Sequence, residues 1–472
     1  MIAKRLLPLL FMLMLLLCPS LAFAEGGLHL DGAELGGWWT IPFIGMLLSI
    51  ALCPLLAEHF WHHNFGKVAV FWSLVFLAPF TIMHGFSMAL YEMLHTLLLE
   101  YIPFILLLLA LFTVAGGIRL KGTLVGTPAV NLLILVIGTF LSSWMGTTGS
   151  AMLLIRPVLR ANAHRKYRVH TIVFFIFLVA NAGGSLTPLG DPPLFLGFLK
   201  GVDFFWTAAH MLPLMIALCV PLLAIYFIVD TILYAREGKP VPPNSDSGEK
   251  LGLEGAQNFI LLACVVGVVL FSGMAKLGDL VIYHIEVAYA DVIRDIALVI
   301  ITVVSLKITN RESRVKNDFT WAPIAEVAKL FAGIFVTMVP AIAILRAGAE
   351  GALAPVIRLV TNQAGEPVNS MFFWLTGVLS SFLDNAPTYL VFFNTAGGDA
   401  AHLMHDLAPT LLAISAGAVF MGANTYIGNA PNFMVRSIAI EQGVKMPSFF
   451  GYMAWSIGIL VPLFIILTFV FF

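Results

Sequence analysis

Residues 181–195 read NAGGSLTPLGDPPLF, and this stretch decides how the rest of the chain can be interpreted. It interrupts a long apolar run with three glycines and three prolines, and it carries a carboxylate, Asp191, inside the interruption. Proline removes a backbone donor and glycine favours open turns, so one continuous helix is excluded. Broken backbone at membrane depth survives only where protein or a water-filled cavity covers it. Asp191 is therefore a functional-site candidate, and the alternative is an ordinary loop outside the membrane.

The composition places the chain among integral membrane proteins. Of its 472 residues, 60% are hydrophobic and only 11% are charged, and the mean hydropathy is +0.96. A soluble domain carries about 25% charged residues, so we predict an all-α polytopic membrane protein. The net charge of −1 gives no indication of nucleic-acid binding. The four cysteines lie in apolar runs without metal or disulfide spacing, and no cofactor is expected.

The N-terminal residues 1–24 are typical of a signal peptide. Lys4 and Arg5 precede an apolar core, and Ala22-Phe23-Ala24 fits a cleavage site; an uncleaved first helix is the alternative. Beyond it we predict N-terminal transmembrane helices at 25–123, a first repeat core at 124–234 and a cytoplasmic linker at 235–257. Scaffold helices at 258–345 and a second repeat core at 346–472 follow.

The loop charges predict a topology. The basic loops at 160–170, 236–250 and 310–318 are expected in the cytoplasm, which puts both termini in the periplasm. Hydropathy predicts about ten crossings and two re-entrant hairpins, at 124–159 and 372–393. For the first hairpin, two ordinary spans joined by a tight turn are the alternative. Two broken transmembrane helices, at 169–199 and 409–440, follow the hairpins.

Two separated motifs indicate an internal repeat. LSSW at 141–144 matches LSSF at 379–382, and GDPP at 190–193 matches GNAP at 428–431. Both pairs are offset by 238 residues. The predicted topology puts the ends of the first hairpin inside and those of the second outside, so we predict inverted repeats, as in many secondary transporters.

The four interruptions at 142–150, 181–193, 380–388 and 424–432 are predicted to converge on one site for an ion or a substrate. Its candidate ligands carry side-chain oxygens: Asp191, Asp384, Asn385, Thr388, Asn181, Thr187, Thr147, Thr148, Ser150, Asn424, Thr425 and Asn429. No Arg or Lys lies inside these segments. Hard cations prefer oxygen ligands, so Asp384 and Asp191 are candidate ligands for transported Na⁺. The alternative for Asp384 is a helix cap that accepts backbone N–H groups.

The motifs SSFLDNAPT, NAGGSLTPLGDPP and GANTYIGNAPN resemble those of the ion transporter superfamily. More narrowly they resemble ArsB/NhaD-type permeases and the neighbouring citrate transporter branch. This resemblance implies a secondary transporter of the bacterial inner membrane, often a homodimer. For NhaD-like members it implies Na⁺(Li⁺)/H⁺ antiport. The hairpin acid of the family would fall on Asp384 and the acid of its broken helix on Asp191.

The function expected from these features is Na⁺(Li⁺)/H⁺ antiport that uses two intramembrane aspartates. The alternative is Na⁺- or H⁺-coupled symport of citrate or another organic anion. An enzyme is not expected, because the chain contains no His-Glu-x-x-His, Gly-x-Ser-x-Gly or P-loop motif. The charges Glu92, His95 and Glu100 are predicted on an interfacial helix, and Arg346 near the end of a span.

Overall fold

The computed structural model describes residues 30–122, 124–240 and 252–472. The predicted signal peptide and residues 241–251 of the predicted linker lie outside these residues. The described part is mainly helical, and eight of its helices are long and apolar enough to cross a membrane. These eight are Gly37–Leu56, His59–His84, Phe86–Ala115, Pro128–Met145, Phe204–Arg236, Gln257–Met274, Ala322–Arg346 and Phe449–Phe471. The predicted all-α polytopic membrane fold is confirmed.

The N-terminal helices pack against one another and against the central helices. After a 3₁₀ turn at Gly37–Thr40, they are α1 (Ile41–Leu56), α2 (Glu58–His84), α3 (Phe86–Thr96) and α4 (Ile102–Ala115). A π-helical segment, Leu97–Tyr101, joins α3 to α4. Such segments are rare, and they occur frequently at functional sites.

The first core contains the interruption around Asp191. Its helices are α5 (Pro128–Met145), α6 (Thr147–Ala161), α7 (Val169–Leu178), α8 (Pro192–Leu199) and α9 (Phe204–Arg236), with a 3₁₀ turn at Ala182–Ser185. Gly146 turns the chain between α5 and α6 at a φ of 81°, which only glycine adopts readily. With 18 residues, α5 is about 27 Å long, so by length this arm of the predicted hairpin could cross a membrane.

The central helices are α10 (Gln257–Met274), α11 (Tyr289–Ile308), α12 (Arg311–Lys316) and α13 (Ala322–Arg346). Four short strands, which the sequence did not predict, accompany them: β1 (Arg119–Lys121), β2 (Gly252–Glu254), β3 (Asp279–Ile282) and β4 (Ile285–Ala288). β1 pairs antiparallel with β2, with Leu120 opposite Leu253, and β3 pairs antiparallel with β4. The end of the predicted linker is thus bound to the strand that follows the N-terminal helices.

The second core repeats the order of the first. Its helices are α14 (Ala354–Val360), α15 (Asn369–Phe382), α16 (Asn385–Thr395), α17 (Ala400–His405), α18 (Ala408–Met421), α19 (Ala430–Glu441) and α20 (Phe449–Phe471), with 3₁₀ turns at Gly348–Glu350 and Gly422–Asn424. A hairpin, a broken helix and a long final helix follow one another in both cores.

The packing core lies around the broken helices. Every residue of α7 from 170 to 178 is buried, and so is nearly all of α18. A helix that is apolar on all sides is typical of the centre of a bundle. The two interruptions therefore lie inside the protein, where broken backbone is shielded from lipid.

Candidate functional site

Asp191 is the point at which the four interruptions meet. Its side chain is buried, with 1% of the residue exposed. Its Oδ1 accepts hydrogen bonds from Thr147 Oγ1 at 3.0 Å and Asn429 Nδ2 at 3.1 Å. Its Oδ2 accepts from Asn385 Nδ2 at 2.5 Å. The three donors come from the tips of both hairpins and from the second broken helix.

Asp191 and its three donors form the Asp191 cluster, and its four residues occupy two pairs of related positions. Asp191 and Asn429 lie 238 residues apart, and Thr147 and Asn385 are separated by the same offset. Within the cluster the single acid is Asp191, while its counterpart Asn429 is a neutral donor to it. The two cores therefore contribute equivalent positions and different charges to the cluster.

Helix N-termini surround the Asp191 carboxylate. Thr147 begins α6 and Asn385 begins α16, while Asp191 and Asn429 are the N-cap residues of α8 and α19. The N-terminus of a helix carries a partial positive charge and unpaired N–H groups. An ionised carboxylate only accepts hydrogen bonds, so three neutral donors and four N-termini suit a negative charge at this position.

Serine and threonine hydroxyls support the broken backbone in both cores. Ser143 Oγ donates to Gly183 O at 2.5 Å, and Thr187 Oγ1 donates to Ser143 O. The counterparts 238 residues later are Ser381 Oγ to Met421 O at 3.0 Å and Thr425 Oγ1 to Ser381 O at 2.5 Å. Buried main-chain groups that leave a helix need such partners.

Glycine is required where the broken segments fold back on themselves. A Cβ on Gly190 would lie 2.1 Å from Gly184 O, and one on Gly428 would lie 2.5 Å from Gly422 O. Both contacts involve main-chain atoms, so a larger residue could not be accommodated by moving a side chain. The tight turn places Asp191 and Asn429 at the starts of their helices.

A chain of amides connects the two broken helices. Asn181 Nδ2 donates to Asn432 Oδ1 at 2.7 Å, and Asn429 Nδ2 approaches Asn181 Oδ1 at 3.3 Å. Asn432 Nδ2 donates in turn to Gly422 O and Thr425 O, both at 2.9 Å. The sequence prediction did not select Asn432, although it ends the interruption at 424–432. The available signal was a second asparagine one helical turn after Asn429.

Asp384 occupies a different role from Asp191. Its Oδ1 accepts from Ala386 N at 3.1 Å, so it caps α16, and its main-chain oxygen accepts from Thr388 Oγ1 at 2.9 Å. Asp384 is half-buried, and no hydrogen bond joins it to Asp191 among the described residues. The next residue, Asn385, is the one that donates to Asp191. The capping alternative describes the observed contacts of Asp384.

Four buried side-chain oxygens in the interruptions have no hydrogen-bond partner among the described residues: Ser150 Oγ, Ser185 Oγ, Asn385 Oδ1 and Asn424 Oδ1. Of these residues, Asn385 contacts Asp191 directly. The predicted ligand Thr148, two residues before Ser150, is half-buried. Within the described ranges no group of three or more His, Cys, Asp or Glu side chains could hold a metal ion. A cation at this site would therefore need neutral oxygens among its ligands.

Comparison with known proteins assigns the chain to a family. The sequence profile of a family described as "Putative citrate transport" matches residues 32–472, nearly the whole chain. No curated protein matches it. The match confirms the predicted transporter and the expectation that the chain is not an enzyme, whereas the narrower ArsB/NhaD resemblance stays a prediction. The chain belongs to this citrate-transport family of multi-pass membrane proteins.

Proposed function

We propose that this protein is a secondary transporter that moves citrate or a chemically similar polycarboxylate together with Na⁺ or H⁺. The observation that carries the proposal is the position of Asp191, which is buried and accepts hydrogen bonds from both hairpins and the second broken helix. Because Asp191 contacts residues of both cores, a change in its charge alters contacts in both. The family match supports citrate over the antiport first expected from the motifs.

The coupling cation would bind beside Asp191. The carboxylate supplies the charge, and the unpaired Asn385 Oδ1 supplies a carbonyl oxygen of the kind that Na⁺ prefers. A proton on Asp191 would neutralise the same charge. Buried charge is costly unless it is paired, so a cation should bind most strongly when an anionic substrate accompanies it.

The substrate would use donors that Asp191 otherwise occupies. Four helix N-termini point their partial positive charge towards this region. Once a cation neutralises Asp191, these dipoles can stabilise a carboxylate of the substrate instead. Cation and anion then favour each other's binding, and linkage makes the effect reciprocal. This mutual dependence is the requirement for symport.

Na⁺(Li⁺)/H⁺ antiport is the second candidate, because the four interruptions contain no Arg or Lys that would pair with an organic anion. In that function Asp191 would exchange Na⁺ for a proton without any substrate. Both proposals include a location in the bacterial inner membrane, periplasmic termini and a homodimer.

Everted membrane vesicles distinguish the two functions. With the symporter, labelled citrate accumulates when a Na⁺ or proton gradient is imposed, and Na⁺ added alone leaves a preformed proton gradient intact. Vesicles that lack the protein provide the control. Collapse of the proton gradient by Na⁺ or Li⁺ without citrate, together with no citrate uptake, would contradict symport and support antiport.

A further inference from the structure

A cavity of about 390 Å³ lies at the far ends of the two helices that begin at the Asp191 cluster. Its wall includes Lys200, Arg346, Asn394, Glu100, His95 and Glu92. Small-molecule sites have volumes of about 300–1,000 Å³, so the cavity can hold a small organic acid. The sequence prediction placed its charges at the membrane interface and did not bring them together.

The cavity is one helix length from Asp191. Helix α8 begins directly after Asp191 and ends at Leu199, next to Lys200. Its eight residues extend roughly 12 Å. Helix α16 begins at Asn385 and carries Asn394 near its end. The same two helices therefore present one end to the Asp191 cluster and the other to the cavity.

Arg346 presents an oriented cation to the cavity. Its Nε donates to Asn394 Oδ1 at 2.7 Å, and buried Asn394 is fixed because its Nδ2 donates to Leu390 O at 2.7 Å. Among the described residues, no carboxylate lies within 4 Å of the Arg346 guanidinium. A C-terminal arginine also complements the dipole of α13, but that role does not require a buried amide to orient it. The guanidinium fork is suited to a carboxylate.

Lys200 provides a second cation that is already paired. Its Nζ forms an ion pair with Glu100 Oε1, and both side chains are largely buried. Glu100 lies on the π-helical segment Leu97–Tyr101, which belongs to the N-terminal helices, while Lys200 belongs to the first core. A carboxylate entering the cavity can replace Glu100 as the partner of Lys200 without leaving either cation unpaired.

We propose that this cavity is an outer binding site for a polycarboxylate. Arg346 binds one carboxylate of the ligand, and Lys200 binds another in place of Glu100. The proposal rests on the proposed function for its substrate class. The remaining charged or titratable groups on the wall are Asp31, Tyr91, Glu92 and His95. Because the wall holds three acids, a ligand has to displace Glu100, and binding should weaken as salt increases.

Transport kinetics of the full chain in proteoliposomes test the site. Arg346→Gln is expected to raise the KM for citrate at least about tenfold with kcat within twofold, since one charge-assisted contact contributes about 1.5 kcal/mol or more. Glu100→Gln removes the carboxylate that competes with citrate for Lys200, so it should lower the KM for citrate several-fold. Arg358→Gln, on α14 and outside the cavity wall, is the matched control and should change neither value. KM values within twofold of wild type in both cavity variants would overturn the outer site.

Equilibrium titration of citrate separates this proposal from the proposed function. Purified protein that carries Asp191→Asn should still bind citrate, and adding Arg346→Gln should weaken that binding at least tenfold. That result would support the outer site even if wild-type protein transports no citrate. If neither wild-type nor Asp191→Asn protein binds citrate, the outer site is wrong. Citrate transport by wild type with unchanged KM in the cavity variants leaves the proposed function standing alone.

Discussion

Replacing Asp191 with Asn is expected to lower gradient-driven citrate uptake about 100-fold or more. The substitution keeps the shape of the side chain and removes its charge. It also turns one acceptor into a donor that faces the amide groups of Asn385 or Asn429. All three hydrogen bonds to the carboxylate lose its charge. Because a hydrogen bond to a charged group contributes about 1.5–3 kcal/mol, a combined loss of about 3 kcal/mol corresponds to about 100-fold or more. Initial rates of labelled citrate uptake in proteoliposomes measure the effect.

The matched control is Asp203→Asn. Asp203 is also a helix N-cap, at the start of α9, but it is exposed and outside the four interruptions. Uptake by this variant should stay within twofold of wild type. If Asp191→Asn transports citrate at half the wild-type rate or better under the same gradient, Asp191 does not carry the coupling.

Replacing Arg165 with Met is expected to lower the free energy of unfolding by about 3–5 kcal/mol. Arg165 Nη1 lies 2.6 Å from Asp230 Oδ1, and neither side chain is exposed. Asp230 also accepts from Asn131 Nδ2 at 3.0 Å and from Tyr226 Oη at 3.1 Å, and lies 2.8 Å from His170 Nε2. Removing the cation leaves a buried carboxylate without its ion pair. Thermal or denaturant unfolding of the purified protein measures the loss.

The control for this substitution comes from the same basic loop. Arg168 is half-buried, and its Nη2 donates one hydrogen bond to Gly443 O at 2.9 Å, so Arg168→Met should cost less than about 1 kcal/mol. The double variant Arg165→Met with Asp230→Leu should recover part of the lost stability, because it removes both charges. A single Arg165→Met variant as stable as wild type would show that the buried pair does not hold this loop.

The sequence was sufficient for the membrane class and for the selection of a candidate site. Glycines, prolines and an acid within apolar sequence excluded continuous helices, and physical chemistry alone makes such interruptions functional candidates. The common offset of 238 residues also predicted which positions correspond, and Thr147 and Asn385 make matching contacts with Asp191. These conclusions depend on local composition and spacing, which a sequence contains directly.

The partners of individual side chains could not be predicted in the same way. Asp384 and Asn385 are adjacent in sequence, and only the geometry of the α16 N-terminus decides which of them faces Asp191. The pairs Lys200 with Glu100 and Arg346 with Asn394 join residues 100 and 48 positions apart. The strands β1 and β2 have three residues each, too few for a strand period to be recognised. Long-range packing determines each of these features.

The most direct test of the account is the cation dependence of citrate binding in wild-type and Asp191→Asn protein. If Asp191 is the group that couples cation to substrate, added Na⁺ or a lower pH should tighten citrate binding to wild type at least about tenfold, which corresponds to a coupling free energy of about 1.4 kcal/mol. The same change should leave binding to Asp191→Asn within twofold. Full cation dependence in Asp191→Asn would contradict the account.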